Sequence, residues 1–123
     1  MHNGSHRLVA VVDDDDAVRE SLQFLLETAG FSVVKYSSAA QCLHEARPGE
    51  LSCLVIDQHM PEQTGLQLVS LLRSNGVNLP VALITGSPSP DLLRRASQLG
   101  VARVLEKPLN DDELLNFIEH ARP

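Results

Sequence analysis

Tryptophan is missing from this chain, and 123 residues carry only three phenylalanines and one tyrosine. The interior must therefore be filled by Leu, Val, Ile and Ala. No apolar run approaches the ~20 residues that a membrane-spanning helix needs. Basic residues are also few, with ten Lys and Arg against sixteen Asp and Glu and no basic stripe, so the charge footprint of a nucleic-acid binder is lacking. The two cysteines, Cys42 and Cys53, lie inside apolar segments and do not have the spacing of a metal knuckle, so they read as reduced, buried thiols of a cytoplasmic protein. The opening MHNGSHR has no apolar stretch after its charges and does not read as a signal peptide. Residues 1–6 read as a polar leader and 7–123 as one domain.

What the chain does have is enough length for a real core and a concentrated patch of acid. Four of its six net negative charges come from Asp13–Asp16, inside VVDDDDAVRE, which leaves −2 for the rest. Packed carboxylates repel and raise one another's pKa, so this run gains no stability by itself. It reads as a solvated helix start, a cation site, or a disordered acidic patch.

Apolar runs alternate with helical patterns five times. Leu8–Val12 is a short continuous apolar run, as in a strand buried on both faces. Val18, Leu22, Leu25, Leu26 and Ala29 then recur at helical spacing, with Gly30 at the C-cap. Phe31–Tyr36 predicts a second strand, and Ser38 with Gln41 predicts a capping box on a short helix to about Ala46. Leu51–Ile56 predicts the third strand, and a helix follows the loop containing Pro61 and Gly65 and ends near Gly76. Val81–Thr85 is the fourth strand, with a helix from about Pro90 to Gly100 after it. Val101–Leu105 is the fifth, and Asn110 with Glu113 predicts a capping box on the last helix. Such alternation implies a parallel sheet with helices on both faces. Function is then expected beyond the carboxyl ends of the strands.

Those ends carry Asp13 and Asp14, Asp57, Thr85 and Lys107. Carboxylate oxygens with little nitrogen or sulfur nearby suit a hard cation such as Mg²⁺, with Mn²⁺ able to substitute. A lysine and a hydroxyl supply a charge and a donor for phosphoryl oxygens. The combination points to phosphoryl transfer with Asp57 as the nucleophile.

The four motifs resemble those of response-regulator receiver domains over nearly the whole chain, from about Leu8 to Ala121. VVDDDDAVRE is similar to the family's acidic loop, VIDQHMPEQTG to its acceptor loop, and LITG and LEKP to its Thr-Gly and Lys-Pro elements. Separations of 43 residues from Asp14 to Asp57, 28 on to Thr85 and 22 on to Lys107 agree as well. The resemblance implies a (βα)5 flavodoxin-like fold with strand order 2-1-3-4-5. It implies that Asp57 accepts a phosphoryl group from a sensor histidine kinase or histidine phosphotransfer protein. Asp14, the Asp57 side chain and the His59 backbone carbonyl would bind Mg²⁺, with Asp13 acting mostly through water. Lys107 would pair with Asp57, often beside a cis Lys107–Pro108 bond, and Thr85 would report the modification. Asp15 would hold a metal-bound water, and Asp16 would cap the first helix. The His59 side chain would border the entrance, and Ser87 would occupy the other rate-tuning position. His2, His6, His44 and His120 read as surface residues.

One departure stands out. Val104 occupies the position where many relatives carry an inward-turning aromatic ring, so the usual threonine–aromatic coupling lacks its ring. The fourth helix, fifth strand and fifth helix, around Leu92, Leu93, Val101 and Leu105, form the family's common partner surface and a route to a homodimer. Around AVRESLQFLLETAGF the chain is similar to receivers joined to helix-turn-helix transcription factors. A stand-alone regulator and a piece of a longer chain both remain open. Two rivals also stand. A pseudo-receiver that only binds partners is kept open by Val104. A Mg²⁺-dependent aspartyl phosphatase of the haloacid dehalogenase type needs a second acid at position 59, where this chain has His, and a substrate-covering cap.

Overall fold

The computed structural model describes residues 7–122; the leader read over residues 1–6 and the final residue lie outside the described residues. Strands and helices alternate: β1 (Leu8–Val12), α1 (Asp16–Thr28), β2 (Ser32–Tyr36), α2 (Ala39–Glu45), a 3-10 turn (Pro48–Glu50), β3 (Cys53–Asp57), α3 (Gly65–Ser74), β4 (Val81–Thr85), α4 (Pro90–Gln98), β5 (Arg103–Glu106) and α5 (Asp111–His120). All four ladders are parallel, and the sheet order is β2-β1-β3-β4-β5. The expected (βα)5 architecture is the observed one.

Strand periodicity divides the core in two, because successive side chains point to opposite faces. Ala10, Val12, Leu54, Ile56, Val81 and Leu83 pack on one side with residues from α2, α3 and α4. Val9, Val11, Val55, Ala82, Ile84 and Leu105 pack on the other with residues from α1 and α5. β1, β3 and β4 are covered on both faces, which explains their uninterrupted apolar sequences. Cys42 belongs to the first core and Cys53 to the second, so the sheet separates two buried free thiols.

Three strand starts differ from the sequence reading, and the cause is backbone hydrogen bonding. The Phe31 N–H returns to the Leu26 carbonyl, which ties that residue to the end of α1 and delays β2 to Ser32. At the end of α4, the Gly100 and Val101 N–H groups bond the Ser97 and Ala96 carbonyls. This closure requires a positive φ, +71° at Gly100, and β5 begins only at Arg103. Leu51 is consumed in the same way, its N–H bonding the Pro48 carbonyl in the 3-10 turn before β3.

Capping differs too. Ser38 and Asn110 accept N–H groups from Gln41 and Glu113 as expected, but the Gln41 side chain bonds Ser37 instead of completing a box. A reciprocal capping box stands on α3 instead, where Thr64 and Gln67 each accept the other's N–H.

Arg73 cross-links the first side of the fold. Its guanidinium donates to the carbonyls of Val77, Leu79, Leu99 and Gly100, joining α3 to the start of β4 and the end of α4.

Candidate functional site

The site lies where strand order reverses. β1 and β3 are neighbours in the sheet, but the chain leaves β1 toward β2 on one side and leaves β3 toward β4 on the other, which opens a crevice at their carboxyl ends. Asp13 and Asp14 follow β1, and Asp57 is the last residue of β3. One carboxylate oxygen from each lies within 4.8 Å of the other two. The sequence thus predicted a convergence that the sheet register brings about.

Short-range bonds shape the acidic loop. The Asp13 N–H bonds the Tyr36 carbonyl at 3.2 Å, and its Oδ1 accepts the Asp15 N–H at 2.9 Å. Arg19 donates to the Asp13 carbonyl at 2.5 Å and pairs with Asp16. Asp15, and not Asp16, caps α1: its Oδ1 accepts the Val18 N–H at 3.1 Å. The reason is conformational, since a cap needs extended backbone and Asp15 has φ −93° and ψ 118°, whereas Asp16 is already helical. The expected cap at Asp16 is corrected accordingly, and one of the two Asp15 carboxylate oxygens is engaged by the helix.

Asp57 is 3% exposed. Lys107 Nζ lies 2.8 Å from its Oδ1, at ion-pair distance. That oxygen nevertheless has no well-directed hydrogen-bond donor, although it is buried. A buried carboxylate oxygen facing two further carboxylates and one ammonium fits a hard cation, and the donor set is all oxygen. The residues present therefore fit Mg²⁺.

The charges register on one another. Burial pushes the Asp13 carboxyl above the usual aspartate range; the Asp15 N–H opposes this, and the Asp57 charge adds to it. The contact with Asp57 raises Lys107 above the usual lysine value, against its partial burial, and the Asp13 and Asp14 charges raise it further.

Thr85 ends β4 and is fully buried. Its carbonyl accepts the Lys107 N–H at 2.9 Å, so the threonine and lysine segments are tied directly. The Lys107–Pro108 peptide is cis. The Thr85 hydroxyl accepts the Ser87 N–H and lies 3.1 Å from His59 Nε2. Sequence reasoning placed the His59 ring only at the entrance. Nothing in the chain's local pattern signals a contact across 26 residues.

Gln58 was also missed. Its Oε1 accepts the Leu66 N–H at 2.9 Å, and its carbonyl accepts the Gly65 N–H, fastening the acceptor loop to the start of α3. Val104 is half-buried against the core beneath α4. Of the residues expected on the partner surface, Leu92 and Leu105 are core; Leu93 is 46% exposed and Val101 is half-buried. His44 and His120 are exposed as expected, while His2 and His6 lie outside the described residues.

Such a sheet, with three clustered carboxylates at its switch point and one of them paired with a lysine, defines a flavodoxin-like α/β protein with an acidic cleft. The chain belongs to the response-regulator receiver domain family, whose profile matches residues 9–119. It is 43% identical to the transcriptional regulatory protein FixJ of Azorhizobium caulinodans over 107 residues, covering 87% of this chain and 51% of that protein. FixJ of Bradyrhizobium diazoefficiens is 39% identical over 114 residues, covering 92% and 55%. The chain thus spans about half the length of these relatives. Among solved structures, the response regulator StyR superposes with a TM-score of 0.88 at 36% identity, covering 94% of this chain and 59% of that one. Vibrio cholerae CheY4 superposes with a TM-score of 0.85 over 94% and 98% of the two chains; at 24% identity, this likeness is one of fold. Among the described residues, no helix is long and apolar enough to cross a membrane.

Proposed function

We propose that this receiver is a phosphorylation switch in which Asp57 takes a phosphoryl group from the phosphohistidine of a sensor kinase or phosphotransfer protein. The observation that carries this reading is the buried Asp57 oxygen with no directed donor, set beside Lys107 and two further carboxylates. In the transfer, an Asp57 carboxylate oxygen forms the new P–O bond while the donor's P–N bond breaks, and the imidazole leaves with a proton. Asp13, Asp14, Asp57 and the His59 carbonyl would hold Mg²⁺. When bound, the ion supplies positive charge against the phosphoryl oxygens. Lys107 then shifts its ion pair toward the new phosphoryl group, and the Thr85 hydroxyl donates to one of its oxygens. Phosphorylation adds roughly −1.5 to −2 charges at one end of the sheet, enough to bias a bistable loop.

A groove of about 670 Å³ runs from this cleft along α1. Asp13 and Lys107 line its polar end, and Val18, Phe24, Leu25 and Leu109 line the rest. Phe24 lines this wall and leaves its ring 75% exposed. A protein donor bringing a phosphohistidine to Asp57 would rest on this wall. The face of α4, β5 and α5 remains for a second copy or an output partner, and a cytoplasmic location accords with a kinase donor.

The test is intact mass after incubation with Mg²⁺ and an acyl phosphate, beside Asp57→Asn. One phosphoryl group on the wild type alone, lost when EDTA is present from the start, is the expected result. No addition to either protein would leave the partner-binding pseudo-receiver.

A further inference from the structure

Thr85 is fully buried, whereas His59, two residues past Asp57, is exposed. Yet His59 Nε2 reaches to 3.1 Å from the Thr85 hydroxyl oxygen. The same oxygen accepts the Ser87 N–H at 3.1 Å. A threonine hydroxyl offers one proton and two lone pairs, and Ser87 already uses one lone pair. A phosphoryl oxygen only accepts, so Thr85 can engage it through that single proton alone. In this structure, the side-chain nitrogen at hydrogen-bond distance from that hydroxyl is on His59.

Resting on the phosphoacceptor reading above, we propose that the His59 imidazole is a positioning residue that holds Thr85 in the unphosphorylated state. With the ring proton on Nδ1, Nε2 accepts the Thr85 hydroxyl proton. A phosphoryl group on Asp57 then takes over that proton, and the ring is released. The exchange gives up a neutral hydrogen bond for a charge-assisted one, so it runs forward but against a cost. Because the ring stands at the surface, its release changes the exposed loop after β3 directly. This route does not require a rotating aromatic ring. Val104, which lies opposite Leu83 across the β4–β5 ladder, has none to rotate.

Beryllofluoride, a phosphoryl mimic, tests the inference on this chain in the presence of Mg²⁺. Its affinity is measured for wild type, His59→Leu, Thr85→Val and the double variant. Removing the latch with His59→Leu should tighten binding about threefold to tenfold, the equivalent of one net hydrogen bond. In the Thr85→Val background the same change should do nothing, and His59→Gln, whose amide oxygen can also accept, should restore wild-type affinity. The wild-type His59 ring nitrogen resonances, read by NMR, should shift when the mimic binds, whatever the variants do to folding. An equal effect of His59→Leu in both backgrounds, or ring resonances that stay in place, would overturn the latch while leaving the phosphoacceptor reading intact. Failure of the wild type to bind the mimic at all would remove both.

Discussion

A Cβ placed on Gly65 would stand 2.6 Å from the Asp57 carbonyl oxygen. It would also meet Leu83 Cδ1 at 2.7 Å. The first residue of α3 therefore presses against the last residue of β3, and only a side chain of one hydrogen permits that approach. The acceptor loop is pinned from both ends, by this contact and by the Gln58 bond to Leu66.

Gly65→Ala should accordingly lower stability by roughly 1–3 kcal/mol, as overpacking into a closed site does. The displaced loop should also weaken Mg²⁺ binding. Urea unfolding and a Mg²⁺ titration of the same protein check both, and an unchanged midpoint would mean that the helix start yields freely.

The two adjacent acids of α1 should separate cleanly. Asp15→Ala removes the cap and should cost about 1 kcal/mol, whereas Asp16→Ala removes an exposed ion pair and should stay within about 0.5 kcal/mol. Reversal of that order would return the cap to Asp16.

Arg73→Met keeps much of the apolar stem but deletes donors to four carbonyls. Bonds from a charged donor are worth more than neutral ones, so a loss of roughly 2–4 kcal/mol is expected, near the upper end for one substitution. Amide exchange should speed up first at the end of α4, which the guanidinium fastens.

The pH dependence of the metal-free protein follows from Asp13. Its carboxyl titrates above the usual aspartate value in the folded state, mainly through burial, so the folded protein holds the proton longer than the unfolded chain. Stability from this group is present at low pH and is lost as pH rises through the range above 3.8. Lys107, raised by Asp57, contributes stability that is intact below 10.5 and is lost only at higher pH. Asp13→Asn should therefore raise the metal-free Tm at pH 7 by more than at pH 4. Mg²⁺ at about a hundred times its Kd should add about 2.7 kcal/mol to the wild type, reversed by EDTA. A Tm difference that does not change with pH would show that Asp13 pays no burial penalty.

Both thiols should be silent. Burial pushes Cys42 up to about 11 and Cys53 up to about 12, so neither carries appreciable thiolate near neutrality. A chromogenic disulfide should label neither cysteine at pH 8 until urea unfolds the chain, and then both. Because the sheet stands between them, no intramolecular disulfide should form in the folded protein.

Much of this was legible in the sequence because its cause is local. A five-residue apolar run, short, rich in β-branched residues and bounded by polar ones, fits a strand covered on both faces, and a 3.6-residue apolar period fits a helix packed against it. From those two periods came the five βα units, and with them the placing of Asp57, Thr85 and Lys107 at strand ends. The tertiary structure decided what depends on backbone direction at a junction or on register between distant strands. Asp15 outcompetes Asp16 for the cap because the exit from β1 leaves it extended. β5 starts late because Gly100 and Val101 are held by α4. The His59–Thr85 contact exists because β3 and β4 are neighbours in the sheet, which brings the loop after β3 over the end of β4. Residues 26 apart leave no mark on one another's local pattern, so only the folded sheet could join them.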